Sequence, residues 1–133
     1  MPRIFKNKCE MNGNNWLVDT NILIALTSGR KDISTLLEDK NIYISVISEI
    51  ELLSWPKLSK KDIKLLEDMI SFLTVIELNR YVKTEAINLR RKHGIKLPDA
   101  LVAASSISND LPLLTYDKGF KSISGLNLIL LDF

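Results

Sequence analysis

The chain alternates short apolar runs with longer stretches in which apolar residues recur every three or four positions. The runs are Trp16-Leu17-Val18, Asn41-Ile42-Tyr43-Ile44, Leu73-Thr74-Val75-Ile76, Leu111-Pro112-Leu113-Leu114-Thr115 and Asn127-Leu128-Ile129-Leu130-Leu131. Runs with no strict polar alternation predict strands buried on both faces. Asp19-Thr20-Asn21 opens an apolar helix over Ile22 to Leu26, with Asp19 or Thr20 placed to cap its free N–H groups. Ser28-Gly29-Arg30-Lys31 breaks that helix, and Ile33, Leu36 and Leu37 mark a second by their spacing. Ser48 begins a helix carrying Ile50, Leu52 and Leu53, which Trp55-Pro56 ends. Ser59 caps another, with Ile63, Leu66, Met69 and Ile70 on one face. Val82, Ala86, Ile87 and Leu89 give a further amphipathic helix, stopped by a cationic last turn, Arg90 to His93, and then Gly94. Pro98 fits the first turn of the next helix, which runs through Ala100, Leu101, Ala103 and Ala104 to about Ile107. Strands alternating with helices predict an α/β fold: one domain, with a central parallel sheet flanked by helices on both faces.

The pattern begins at Trp16. Residues 1–15 read as a polar, flexible leader with a turn-rich spacer, Asn12-Gly13-Asn14-Asn15, and Met11 stands as an alternative natural start. The domain is therefore placed at 16–133. The chain's 133-residue length suits one domain with a real core. The longest apolar stretch, Leu126 to Leu131, is far short of the roughly 20 residues that cross a bilayer. No apolar signal region follows the basic N-terminus, so the expected location is the cytoplasm, with no membrane partner. Of the net charge of +2, the leader carries all: Arg3, Lys6 and Lys8 against Glu10 give 3 − 1 = +2. The body is formally neutral, so total charge does not argue for nucleic acid.

Composition also limits the metal chemistry. Cys9 is the only cysteine and His93 the only histidine, which rules out a thiolate zinc site and a histidine-rich one. Any bound metal must be held mostly by oxygen. Four carboxylates lie just past or beside predicted strand-to-helix junctions: Asp19, Glu51, Asp99 and Asp117. In an open α/β sheet such junctions gather at one edge. Taken singly, each has an ordinary explanation. Asp19 can cap a helix, Asp99 can face a helix's positive end, and Asp117 can serve a turn. Glu49 and Glu51 point in different directions; with Ile50 and Leu53 on the buried side, Glu51 is the better site candidate and Glu49 the solvated one. Together the four acids would repel one another unless protonated or joined by a cation, and hard oxygen donors suit Mg²⁺ or Mn²⁺. The group reads as a metal-dependent phosphoryl-transfer site. The basic clusters Arg90-Arg91-Lys92 and Lys57, Lys60, Lys61 and Lys64 read first as solvated helix faces. His93 reads as structural or idle, and Trp16, Trp55 and Phe120 as core or packing residues rather than base-stacking platforms.

The ordered blocks Leu17-Val18-Asp19-Thr20-Asn21, Ile44 to Leu52, Pro98 to Ala104 and Leu114-Thr115-Tyr116-Asp117-Lys118-Gly119-Phe120 resemble the PIN-domain family, most of all the VapC-type toxin ribonucleases of toxin–antitoxin pairs. The resemblance runs over about residues 16–131. It implies a metal-dependent endoribonuclease with Mg²⁺ or Mn²⁺ held by Asp19, Glu51, Asp99 and Asp117, and with Asn21 and Thr115 as supporting polar residues. It further implies hydrolysis of RNA phosphodiesters to 5′-phosphate and 3′-hydroxyl ends. The implied partners are an RNA substrate and a cognate antitoxin protein, with homodimer formation left open. An antitoxin arm would cross the acidic cleft. Ile22, Leu26, Ile33 and Leu37 are read either as a groove for it or as core. A haloacid-dehalogenase-type phosphatase is set aside because its second Asp is replaced here by Asn21. The remaining alternatives are a PIN nuclease of RNA processing and a non-catalytic PIN-like RNA- or protein-binding module. Erosion of the acidic set would mark that module, and all four acids are present.

Overall fold

In a computed structural model of the chain, residues 4, 5 and 14–132 are described. The elements in chain order are β1 (Ile4–Phe5), β2 (Asn15–Val18), α1 (Thr20–Thr27), α2 (Lys31–Leu37), β3 (Asn41–Ser45), α3 (Val46–Leu53), α4 (Lys60–Ser71), β4 (Thr74–Ile76), α5 (Arg80–His93), α6 (Leu97–Ser108), β5 (Leu113–Thr115), a 3-10 turn (Lys118–Ser122) and β6 (Leu128–Leu131). They form one sheet in the order β1-β6-β5-β2-β3-β4, in which β6 to β4 run parallel and β1 pairs antiparallel with β6.

Both faces of the sheet are covered, which is why the strands read as continuous apolar runs. Successive residues feed opposite cores. Trp16, Val18, Leu114, Ile129 and Leu131 join Ile22, Leu23, Ile33, Ile44, Leu52 and Ile70 on the side of α1 to α4. Leu17, Leu113, Leu128 and Leu130 join Val82, Ala86, Leu89, Ala100, Ala103 and Ala104 on the side of α5 and α6. The predicted architecture is thus the observed one, with an antiparallel edge added.

That edge modifies the expected leader. Ile4 and Phe5 lie opposite Leu131 and Leu130, so this part of residues 1–15 belongs to the sheet. Asn15 already belongs to β2, opposite Asn41. Residues 1–3 and 6–13 lie outside the described residues, and with them the rest of the leader, including Cys9 and Met11.

Several local expectations need correction. Helix α3 starts at Val46, earlier than Ser48, because the Ser45 hydroxyl at the end of β3 accepts from Ile47 N (3.2 Å) and caps it. Ser48 is then buried inside the helix, and Ile50 lies on the opposite side, 54% exposed, instead of on the buried face. Ile87 is 45% exposed, because the buried stripe of α5 is Val82, Ala86 and Leu89, at offsets of four and seven residues. Trp55 is also 45% exposed, in the loop between α3 and α4, so it is not a core residue. Ile22, Ile33 and Leu37 are buried in the core and Leu26 is half-buried, so the early helices offer the sheet, not a groove, these side chains.

The short link from α5 to α6 sets the position of Asp99. Gly94 caps α5 at φ 64°, and its N–H donates to Arg90 O (2.9 Å). Arg90 Nε in turn donates to Ile95 O (3.2 Å), tying the link to the helix it leaves. A side chain at Gly94 is strained by that left-handed backbone although nothing lies within 4 Å of an added Cβ. Gly94→Ala is therefore expected to lower the free energy of unfolding by about 1 kcal/mol in a denaturant titration. An unchanged midpoint would show that the cap does not constrain the link.

Candidate active site

The strand order reverses between β2 and β5: the chain proceeds from β2 to β3 and β4 on one side, then returns to lay β5 and β6 on the other. Crevices at such a reversal, at the carboxyl ends of the strands, are where open α/β sheets bind ligands. Asp19 follows β2 there, and Thr115 ends β5.

Asp19 has an extended backbone (φ −77°, ψ 162°) and caps α1. Its carboxylate is divided between two neighbours. Oδ1 accepts from Thr20 N (2.8 Å), and Oδ2 accepts from the Thr115 hydroxyl (2.8 Å). Thr115 is fully buried, and its own hydroxyl oxygen accepts from Asn21 Nδ2 (3.2 Å) and from Asp117 N (3.0 Å). Asn21 completes the circuit, because its Oδ1 accepts from Tyr116 N (3.4 Å). The two polar residues expected to support the site thus join α1 to the end of β5.

Asp117 caps the 3-10 turn, with Oδ1 accepting from Gly119 N (2.8 Å). A Cβ at Gly119 would meet that oxygen at 3.0 Å, so the glycine leaves room for the carboxylate. Asp99 stands in the first turn of α6, where the free N–H end favours an anion. Glu51 is exposed on α3, and its Oε1 accepts from the Thr20 hydroxyl (3.1 Å). That choice separates the two glutamates: Glu51 is tied to the Asp19 segment, and Glu49 lies half-buried in the first turn of the helix. Sequence reasoning took Thr20 only as a possible cap. Its place between Asp19 and Asn21 is the signal that could have raised it to a site residue.

The acids are close enough for their charges to act on one another. Burial raises the Asp19 carboxyl above its ordinary value. The Thr115 and Thr20 hydrogen bonds oppose that rise, and the charges of Asp99 and Asp117 add to it. Burial raises Asp99 as well, followed by the Asp117 charge, with Lys96 opposing and Glu51 adding. All four acids therefore act on one another directly or through one intermediate. An all-oxygen donor set under mutual repulsion fits a hard divalent cation by its chemistry. Among the described residues, no group of three or more His, Cys, Asp or Glu side chains is already arranged to hold one. The remaining candidates stand apart: Lys57, Lys60, Lys61 and Lys64 are exposed around α4, with Lys64 paired to Asp68 (3.1 Å), and His93 lies 3.5 Å from the Ser124 hydroxyl.

The comparisons with known proteins bear on the family and the fold. The family model described as the PIN domain matches residues 16–126. A toxin–antitoxin complex from Klebsiella pneumoniae contains a chain 31% identical to this one, with a TM-score of 0.74, covering 84% of this chain and 94% of its own. VapBC2 from Rickettsia felis, bound to a DNA fragment from its promoter, is similar at 25% identity and TM-score 0.79, over 89% of this chain and 99% of its own. VapBC-1 from nontypeable Haemophilus influenzae shares the fold, with TM-score 0.70 at 24% identity, over 86% of this chain and 96% of its own. No curated protein sequence matches the chain significantly.

Two outcomes follow from the site's hydrogen bonds and charges. Thr115→Val keeps the shape but removes the hydroxyl that serves Asp19, Asn21 and Asp117 N, and should cost about 1–3 kcal/mol of unfolding free energy; a neutral result would mean the hydroxyl circuit is dispensable. For Asp99, a raised folded value means the stability it contributes is complete below 3.8 and is lost as pH rises through the raised value. Metal-free Asp99→Asn should therefore melt above wild type at neutral pH, with the gap closing as the solution is acidified. A variant that melts below wild type at neutral pH would contradict the repulsion.

Proposed function

Since the chain belongs to the PIN domain family and is a nuclease of the VapC toxin type, we propose that it is an Mg²⁺- or Mn²⁺-dependent endoribonuclease restrained by a cognate antitoxin. The observation that supports the reading is the mutual influence of the four acids: Asp99 and Asp117 act on the buried Asp19, and Asp117 and Glu51 on Asp99. Asp19 and Asp99 are assigned as direct ligands, with Asp117 completing the set. Glu51, exposed like Asp117, would position the attacking water and is itself steadied by the Thr20 hydroxyl. Asn21 and Thr115 fix the Asp19 carboxylate, so its donor atoms need little reorganisation. When bound, the dication supplies charge neutralisation at the phosphoryl oxygens and eases ionisation of the attacking water. Products with 5′-phosphate and 3′-hydroxyl ends follow if water attacks phosphorus and the ribose 3′-oxygen leaves.

Two relatives are described as toxin–antitoxin or VapBC complexes at 25% identity or more, which supports an antitoxin partner for this chain. An arm presenting Arg to the acids would pair bidentately and compete with the cation. No helix among the described residues is long and apolar enough to cross a membrane. Action on RNA places the chain in the cytoplasm under this reading.

The test is cleavage of single-stranded RNA by purified protein in Mg²⁺. Asp19→Asn and Asp99→Asn should each lose about a hundredfold or more of the rate, because a neutral amide is a poor ligand for a hard dication. Glu49→Gln should retain it. Wild-type rates in either aspartate variant would overturn the assignment, and a large loss in Glu49→Gln would show that the wrong glutamate was chosen.

A further inference from the structure

A cavity of about 470 Å³ opens directly beside the acidic cluster. Ile24, Ala25 and Tyr116 form its apolar wall, Ser28 and Arg30 its polar rim, and Asn21 and Asp117 the boundary it shares with the site. Its size is within the range of small-ligand pockets, roughly 300–1,000 Å³. We propose that it is a subsite for one unpaired RNA base next to the scissile phosphate, with Tyr116 as aromatic platform and Arg30 as planar cationic rim. The proposal rests on the ribonuclease reading above and names how that same site grips its substrate.

Three observations select a base over other occupants. Tyr116 lies between Thr115 and Asp117 in sequence, and its N–H donates to Asn21 Oδ1 (3.4 Å), so the platform is fixed to the residues that fix the carboxylates. Arg30 is held in one plane by Asp32, with Nε to Oδ1 at 3.0 Å and Nη2 to Oδ2 at 2.6 Å. Its guanidinium carbon is 6.0 Å from the centre of the Tyr116 ring. Because Asp32 offsets the charge of Arg30, the rim has little net attraction for a phosphate. What remains is a flat, ordered guanidinium lying over an aromatic ring, so its open face is a planar surface of the kind on which unstacked RNA bases rest, with Tyr116 backing it. Pre-ordering also lowers the entropic cost of binding. Because Asp117 and Asn21 border the cavity, a base seated there would have a neighbouring phosphate within reach of the acids, and the pocket would then set which phosphodiester enters the acidic cleft.

Two variants address the pocket by opposite means. Ser28 is exposed at the end of α1 with an unstrained backbone (φ −80°, ψ 3°), and Ser28→Phe would plug the cavity. Tyr116→Leu keeps apolar volume and removes the ring. Binding of a short fluorescein-labelled single-stranded RNA is measured by anisotropy in Ca²⁺, and cleavage of the same RNA in Mg²⁺. Both variants should weaken binding about fivefold or more, the loss of one stacked base, and shift the cleavage positions, while melting as cooperatively as wild type. If a variant fails to fold, the other decides. Wild-type affinity and cleavage pattern in a folded variant would overturn the subsite and leave the nuclease standing. Pocket-dependent binding by a wild type that never cleaves would sustain the subsite and overturn the nuclease. A wild type that neither binds nor cleaves RNA would end both.

Discussion

Thr115 is closed to solvent, and its hydroxyl donates to Asp19 Oδ2 while accepting from Asn21 Nδ2 and Asp117 N. One oxygen thus joins the start of α1 to the end of β5 across the seam where the strand order reverses. The backbone makes the same join: Leu17 N donates to Pro112 O (2.9 Å) and Asp19 N to Leu114 O (3.0 Å). Leu17 and Leu113 bury one side of this seam and Val18 and Leu114 the other. The apolar packing holds the two strands in register, and the register delivers the carboxylates. A site carried on strand ends in this way is more exactly placed than one built on loops.

The packing does not relieve the charge it gathers. Neutral donors, Thr20 N and the Thr115 hydroxyl, stabilise the ionised Asp19, yet burial and the neighbouring acids still raise it. At Asp99 the opposing Lys96 does not cancel burial, Asp117 and Glu51. The folded chain therefore stores electrostatic cost at one point and has a donor set there that a hard cation would relieve. Under the proposed function, stability is given up where the chemistry would need a concentrated negative field, a common arrangement at functional sites. The adjoining cavity differs in kind: its wall is apolar and its cation is already matched by Asp32. The acidic site holds charge, and the pocket beside it offers a flat surface.

Much of this was legible in the sequence. Runs such as Leu128 to Leu131 could be read as strands covered on both faces, because each successive residue must find a core. The quartet could be proposed from the sequence because acids beside strand-to-helix junctions tend toward one edge of a parallel sheet. What escaped has local physical causes. Val46 and Ile47 are β-branched and weak helix formers, so Ser48 stood out as the helix start and the cap at Ser45 was hidden. Ile50, Trp55 and Ile87 were assigned inward on hydrophobicity alone, although a soluble chain leaves some large apolar side chains exposed. The pairing of Ile4 and Phe5 with β6 depends on a contact across nearly the whole chain, which no local pattern carries. Arg30 and Tyr116 lie far apart in sequence, and only folding brings them to one cavity.

The central claim is that the carboxylates at the seam form one cation site. Isothermal titration of Mn²⁺ into purified protein at neutral pH tests it most directly. The account predicts saturable binding that weakens as the solution is acidified and the raised carboxyls of Asp19 and Asp99 take up protons, and that is largely lost in Asp99→Asn. Binding that is absent in the folded wild type, or that is equally strong in Asp99→Asn, would contradict it.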